Sequence, residues 1–336
     1  MIDRQQLIER LRHSIDEAMS PYVKDVRQLV LLDFPNHANV GDSAIYLGEL
    51  AYFKRATSLR PSFVSEWSSH DWDALDRAVS SGPIFLHGGG NFGDVWGGHQ
   101  GFREAVLERY PKRLVVQLPQ TLHYQNQGAL KRTADIIKRH GNFVLMVRDE
   151  RSYKLARSNF ACEVHKCPDM AFYIGPLPCP ANPAHPLLLL MRTDREAQGA
   201  PSDPGIRIPP DALTADWLEE VAGMKERIKA QAVLGTLSSF SLSKSALRER
   251  YYALLANERV VRGRKLLGSG GFVITDRLHA HILCTLMNIP HAVLDNNYGK
   301  VSGFMDLWTN DYERAHRVVD LHSAMALWAS RSEATH

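Results

Sequence analysis

Gln28–Ala56 reads QLVLLDFPNHANVGDSAIYLGELAYFKRA. It opens on an apolar run, Gln28–Phe34, passes through the turn-rich Asn36–Ser43 and enters a helical stretch, Ser43–Ala56. A strand followed directly by a helix is half of a βαβ unit, and the same alternation continues downstream. Pro83–Leu86 (PIFL), Leu114–Leu118 (LVVQL) and Phe143–Val147 (FVLMV) read as strands, with Asp71–Ser80, Gly101–Tyr110 and Ala129–Arg139 as the helices between them. The pattern predicts a parallel sheet with helices on both faces.

Ile174–Pro186 holds five prolines in thirteen residues, and proline continues neither helix nor strand. It is read as a linker, about 174–186, between an N-terminal Rossmann-like lobe (1–178) and a C-terminal one with terminal helices (187–336). The second alternating set comprises Leu187–Met191, Ala232–Thr236 (AVLGT), Gly271–Thr275 and His291–Leu294, all read as strands. Ala197–Pro210, rich in Gly and Pro, reads as a surface loop. Two doubly wound α/β lobes place the expected site in the cleft between them.

Composition narrows the function. The 336 residues carry 40 Lys+Arg against 37 Asp+Glu, a net charge of +3, and 44% are apolar. That balance fits a globular chain and not a strongly basic nucleic-acid binder. No apolar run approaches the roughly 20 residues of a membrane span. Cys162, Cys167, Cys179 and Cys284 form no CxxC pair, so neither a zinc ribbon nor a disulfide framework is indicated, and a reducing cytosol is the expected compartment. Met1–Ser20 is charged throughout, with Leu7, Ile8, Leu11, Ile15 and Met19 at helical spacing. It reads as a docked amphipathic helix rather than an export signal; a membrane-surface or oligomer contact is the alternative.

Four motifs fall at strand ends, where doubly wound folds bind ligands. In Asn36–Ser43 (NHANVGDS), Asn39 and Asp42 are binding candidates, with a helix cap as the plain alternative. His87–Asp94 (HGGGNFGD) presents Gly88, Gly89, Gly90 and Asn91 as a glycine loop that would let backbone approach a substrate. Its GxGxxG spacing lacks the acid about 20 positions on that a dinucleotide fold needs: Pro111–Arg132 contains none. Without a GxSxG elbow, the HGGG run is not an esterase oxyanion hole either. Val147–Arg151 (VRDER) contributes Arg148. Val273–His281 (VITDRLHAH) brings Asp276, Arg277 and His279 to the start of a helix, a natural anion site. His279 and His281, two apart, sit on different helix faces and do not form an HExxH-type metal pair. Asp71-Trp72-Asp73 matches a DxD metal motif but also opens a helix, where Asp belongs anyway. Arg248–Lys265, with six Arg/Lys against two Glu, reads as a solvated helix face, with an anionic lipid surface as the alternative.

Together NVGD (Asn39–Asp42), HGGGNFGD (His87–Asp94), VRDE (Val147–Glu150), TDRLHAHI (Thr275–Ile282) and LDNNYGKVSGF (Leu294–Phe304) resemble the polysaccharide pyruvyltransferase family, from about Leu31 to Trp308. The resemblance implies a glycosyltransferase-B-like architecture of two Rossmann-type lobes. It also implies transfer of the enolpyruvyl unit of phosphoenolpyruvate to two hydroxyls of a sugar in an exopolysaccharide or cell-wall glycan precursor. The products are a cyclic pyruvate ketal and phosphate. Such acceptors are generally lipid-linked, at the inner face of the cytoplasmic membrane.

The residues suit that chemistry on their own terms. Phosphoenolpyruvate carries a phosphate and a carboxylate, both matched by the planar fork of Arg, which nominates Arg277 and Arg148, with Lys300 assisting at the phosphate. Attack at C2 requires a proton at the methylene carbon, for which His279 is the candidate general acid. Asp42 or Asp94 would deprotonate the acceptor or stabilise positive charge at C2. Neither a metal nor a cofactor is expected beyond phosphoenolpyruvate itself as donor. The rival readings are a nucleotide-sugar glycosyltransferase of the same architecture and, more distantly, a non-catalytic glycan-binding protein.

Overall fold

A computed structural model describes residues 1–192, 206–238, 243–295 and 299–333, with backbone alone for 237, 238, 300, 332 and 333. The expected Ala197–Pro210 loop lies largely outside the described residues.

The first half of the chain runs α1 (Arg4–Val23), β1 (Val30–Leu32), α2 (Val40–Thr57), β2 (Phe63–Ser65), α3 (Trp72–Ala78), β3 (Ile84–Leu86) and β4 (Gly89–Gly93). It continues through α4 (Gly97–Arg109), β5 (Val115–His123), α5 (Gln127–His140), β6 (Phe143–Val147), α6 (Glu150–Asn159) and β7 (Glu163–Lys166) to a single-turn helix, Met170–Ile174. After the Pro-rich segment come β8 (His185–Leu190), β9 (Leu213–Ala215), α7 (Met224–Ser238), α8 (Lys244–Leu267), β10 (Gly270–Thr275) and α9 (Leu278–Met287). β11 (His291–Val293), α10 (Lys300–Trp308), β12 (Ala315–Arg317) and α11 (Leu321–Glu333) complete the described elements.

Two sheets result, and every named strand pair in them is parallel. The first has the order β2-β1-β3-β5-β6-β7, with β4 also on β5; the second has the order β9-β8-β10-β11-β12. In each, the first strand lies between the second and third, so strand order reverses beside it. That reversal leaves a crevice outside the strands' carboxyl ends. This is the two-lobed, doubly wound α/β layout expected from the strand and helix alternation.

Period-2 patterning builds the core. Leu31, Phe85, Val116 and Met146 leave the first sheet on one face, and Leu188, Leu190 and Val273 leave the second, all into one apolar cluster that also takes in α1, α2, α8 and α9. The alternate residues, Val30, Ile84, Val115 and Leu145, enter an outer cluster with α3–α6. Leu187, Leu189 and Ile274 pack instead toward Leu321 and Ala324 of α11. The two sheets therefore share a central core, which holds the walls of the crevice in register. The stripe of α1 is fully used: Leu7, Ile8, Leu11, Ile15 and Met19 are all buried. Arg4 donates to Leu286 O, and Arg10 pairs with Asp311, so this helix braces the far half of the chain.

Some sequence expectations fail on packing grounds. Ala232–Thr236 is not a strand; it lies in α7, where Met224, Ile228, Ala232 and Thr236 form a buried stripe at four-residue spacing. The five residues AVLGT alone did not reveal that period. The glycine loop is largely strand: Gly89 pairs with Gln120, and Gly93 with His123. At Gly93 (φ +129°) a Cβ would lie 1.7 Å from His123 O, so only glycine fits there. Arg248–Lys265 lies within α8 but is not merely a solvated face. Arg259 is fully buried on Glu220 and Pro35 O, while Arg262 bonds Ala38 O and Trp217 O. Asp71 is a helix cap, its carboxyl accepting from Ala74 N.

His281 turns inward, away from His279. His291 Nδ1 donates to Ile289 O, so its Nε2 accepts from His281 Nδ1, whose own Nε2 accepts from Thr309 Oγ1. The chain of bonds runs in this one direction when both rings are neutral. Burial holds them so, placing His291 at about 4 and His281 well below the usual imidazole value.

Candidate active site

A cavity of about 400 Å³ opens where the carboxyl ends of the two sheets meet. Its first wall comes from the segments after β1, β3 and β6: His37, Asn39, Asp42, His87, Gly90, Asn91 and Arg148. The facing wall comes from the segments after β8, β9 and β10: Arg192, Trp217, Arg277, Leu278 and His279. Both reversal points thus open into the same space.

Local chain geometry sets the first wall. Asn39 caps α2 by accepting from Gly41 N (3.0 Å) and donates to Asp42 Oδ2 (2.9 Å). The cap and binding readings therefore both apply to one side chain. Asp42 follows in the first turn, with His37 Nε2 3.6 Å from its Oδ2. Burial would raise the Asp42 carboxyl, but His37, His279, His87 and Arg148 outweigh it and hold it below its ordinary value. Asn91 Oδ1 accepts from Arg103 (2.8 Å) and Gln120 (2.9 Å), which fixes the amide at the cavity floor. Arg148, leaving β6, is buried, with Nε on Thr121 Oγ1 (3.0 Å) and Nη1 on Asp169 Oδ2 (2.5 Å).

The facing wall is anchored in the same way. Arg277 Nη2 pairs with Asp216 (2.6 Å), and its guanidinium lies 5.8 Å from the Trp217 ring centre. α9 begins directly after it with no side-chain cap, and its first two residues, Leu278 and His279, line the cavity. His279 Nε2 stands 3.4 Å from Asp169 Oδ2. Its ring lies over Gly41 of α2, where a Cβ would come within 2.3 Å of Nδ1. Burial alone would raise the Asp169 carboxyl; His279 and Arg148 beside it reverse this and hold it well below the usual carboxylate range.

Of the residues nominated from sequence, Asn39, Asp42, Gly90, Asn91, Arg148, Arg277 and His279 share this cavity. Others are placed elsewhere. Gly88 is buried behind the wall, its N–H on Glu49 Oε1 (2.9 Å), and Gly89 packs against Asp42 and Ile45. Asp94 is outside the lining and accepts from Gln125 N and Asn126 N (2.6 Å), closing the turn after β5. Its motif spacing places it beside the cavity, but the extension of β4 along β5 carries it past the rim. The Lys300 side chain lies outside the described residues.

Sequence reasoning missed Asp169, Asp216, His37, His87, His99, Trp96, Trp217 and Arg192. Asp169 had a signal, an acid just beyond β7 in CPDM, but nothing in the sequence announced its convergence with Arg148 and His279. His99 Nδ1 sits 2.8 Å from buried Asp33. Trp96 is 40% exposed at the cavity rim. Among the described residues, no cluster of three or more His, Cys, Asp or Glu is arranged to hold a metal ion, and no helix is long and apolar enough to cross a membrane.

Comparison with known proteins then decides the family. The family model for polysaccharide pyruvyl transferases matches residues 39–298. The chain belongs to the polysaccharide pyruvyl transferase family. The matched span begins at the α2 cap and contains every residue lining the cavity except Pro35 and His37. Among its relatives, Pyruvyl transferase 1 of Schizosaccharomyces pombe is 33% identical over 307 residues, covering 85% of this chain and 71% of the relative. EpsO of Bacillus subtilis (strain 168), which carries a pyruvyl transferase name, is 30% identical over 286 residues, covering 84% and 85%. A crystal structure of an uncharacterized Klebsiella pneumoniae protein superposes with a TM-score of 0.60 at 19% identity, over 92% of this chain and 99% of that one. It supports the fold alone. A polysaccharide pyruvyl transferase is a transferase enzyme, so the non-catalytic glycan-binding reading falls.

Proposed function

We propose that this pyruvyl transferase draws its pyruvyl group from phosphoenolpyruvate and forms a cyclic ketal on a glycan precursor. The observation that carries this reading is the convergence of Arg148, Arg277, His279 and the uncapped start of α9 on one cavity. Two guanidinium groups on opposite walls match a small ligand with two anionic ends, and helix amides favour its phosphate.

In the proposed reaction, a sugar hydroxyl oxygen bonds to C2 while the methylene carbon takes a proton from His279, becoming a methyl group. The second hydroxyl oxygen then bonds to C2, the bond from C2 to the phosphate oxygen breaks, and inorganic phosphate leaves. The two hydroxyl protons balance the one consumed and the one released. Asp42, held ionised by its neighbours, is better suited to orienting the hydroxyl and stabilising positive charge at C2 than to acting as a strong base. Trp96 offers an apolar ring face at the rim for the acceptor sugar. The acceptor is read as lipid-linked and the enzyme as acting at the cytoplasmic face of the membrane, with self-association and peripheral membrane contact left to the acceptor system.

A thermal-shift panel of phosphoenolpyruvate, UDP-sugars and free oligosaccharides tests the donor. Stabilisation by phosphoenolpyruvate without UDP-sugars supports the reading; stabilisation by UDP-sugars alone favours a glycosyltransferase.

A further inference from the structure

His87 is the first residue beyond β3 and lies at the strand reversal of the first sheet. Its side chain is 2% exposed, yet the residue lines the cavity. Nδ1 is bound to Glu49 Oε2 (2.8 Å), and the other oxygen of Glu49 takes Gly88 N (2.9 Å). Burial raises the Glu49 carboxyl, so the hydrogen of this contact is shared between Nδ1 and Oε2. Nε2, at the other side of the ring, is buried and has no hydrogen-bond partner in the structure. His279 Nε2, on the same cavity, is likewise buried without a hydrogen-bond partner, and such atoms beside a cavity call for an explanation.

A purely structural role does not account for this arrangement. Glu49 sits fully buried in the middle of α2, where only a strong partner offsets its loss of water. The His87 carbonyl is pinned by Gln117 (2.8 Å) and Gln120 (3.1 Å). Backbone and ring are thus fixed, while one nitrogen is left unanswered. Burial opposes a charge on His87, but Glu49, Asp42 and Asp33 reverse that and raise its affinity for a proton. In that form Nε2 is a donor and requires an acceptor.

We infer that His87, held by Glu49, contacts the donor directly and donates from Nε2 to its carboxylate. This rests on phosphoenolpyruvate being the donor. The carboxylate is assigned because the α9 amides and Arg277 on the facing wall suit a tetrahedral phosphate. That leaves the planar group to Arg148 and His87 on the first wall.

His87→Asn tests the assignment, since its short amide can still donate to Glu49 while nothing replaces Nε2. Titration calorimetry is run with phosphoenolpyruvate and, separately, with inorganic phosphate. The expected result is a loss of roughly tenfold or more in affinity for phosphoenolpyruvate, with phosphate affinity unchanged. Unchanged phosphoenolpyruvate affinity, or an equal loss for both ligands, overturns the carboxylate contact while leaving the donor reading intact. Wild-type protein that binds phosphate but not phosphoenolpyruvate overturns the donor reading and this inference with it. Should His87→Asn fail to fold, nitrogen-15 spectra of the wild type decide: the Nε2 resonance of His87 must move with phosphoenolpyruvate and not with phosphate, and a resonance indifferent to both overturns the assignment.

Discussion

His279 Nε2 stands 3.4 Å from Asp169 Oδ2, and that same oxygen accepts from Arg148. One buried carboxylate therefore joins a residue at the start of α9, beyond the second sheet's β10, to one just beyond β6 of the first. The candidate acid and a candidate anion-binding arginine are positioned by a common anchor.

Replacing His279 by Ala should lower turnover by about 10²–10⁴-fold while the fold and phosphoenolpyruvate affinity persist, since Arg148 still neutralises Asp169. Gly41→Ala should reach the same residue indirectly, because the new Cβ would come within 2.3 Å of Nδ1 and force the ring to move. Steady-state kinetics should show kcat falling more than KM for the donor rises. Full activity in either variant removes His279 from the mechanism.

Arg277→Lys keeps the charge but loses the fork. With Asp216 taking one terminal nitrogen (2.6 Å), a lysine cannot hold that partner and a bound anion in the same geometry. Donor affinity should fall about tenfold by calorimetry; unchanged affinity refutes a guanidinium contact.

Asp169→Asn should destabilise the protein by about 3–5 kcal/mol near neutral pH, because it leaves Arg148 buried without its counter-charge. The sign of the pH effect follows from the depressed Asp169 carboxyl. Its stabilisation is complete above the unfolded value of about 4 and is lost as pH falls toward the folded value, well below that. Denaturation of the two proteins at matched pH should show a gap that is constant above about pH 5 and narrows in stronger acid.

Asp42 and Asp94 were equivalent candidates in sequence, and the structure separates them. Asp94→Ala should cost about 1–2 kcal/mol of stability through the lost loop bonds and leave the donor affinity and kcat of the folded enzyme near wild type. Asp42→Ala should lose turnover at least tenfold. Equal kinetic losses in the two variants would contradict the placement of Asp94 outside the site.

Strand and helix alternation made the two parallel sheets legible, because period-2 and helical patterns are local. β6 coincides with Phe143–Val147, and the α1 stripe is buried as spaced. Short strands at sheet margins, β2, β7, β9 and β12, gave no apolar run long enough to read, and α7 concealed its four-residue stripe behind the short run AVLGT. At the site, residues flanking recognisable strand ends were readable. The carboxylates that orient them, Asp169 and Asp216, come from segments distant in sequence, and only tertiary packing brings them together. Glu49 shows the same limit: at mid-helix in α2 it carries no motif, yet it fixes His87 across 38 positions.

The most direct test incubates purified enzyme with phosphoenolpyruvate and candidate lipid-linked glycan acceptors, following phosphorus-31 resonances and product mass together. The account predicts acceptor-dependent release of inorganic phosphate with a glycan heavier by one pyruvic acid less one water. Transfer of a sugar from a nucleotide donor, with phosphoenolpyruvate left intact across acceptors, would contradict it.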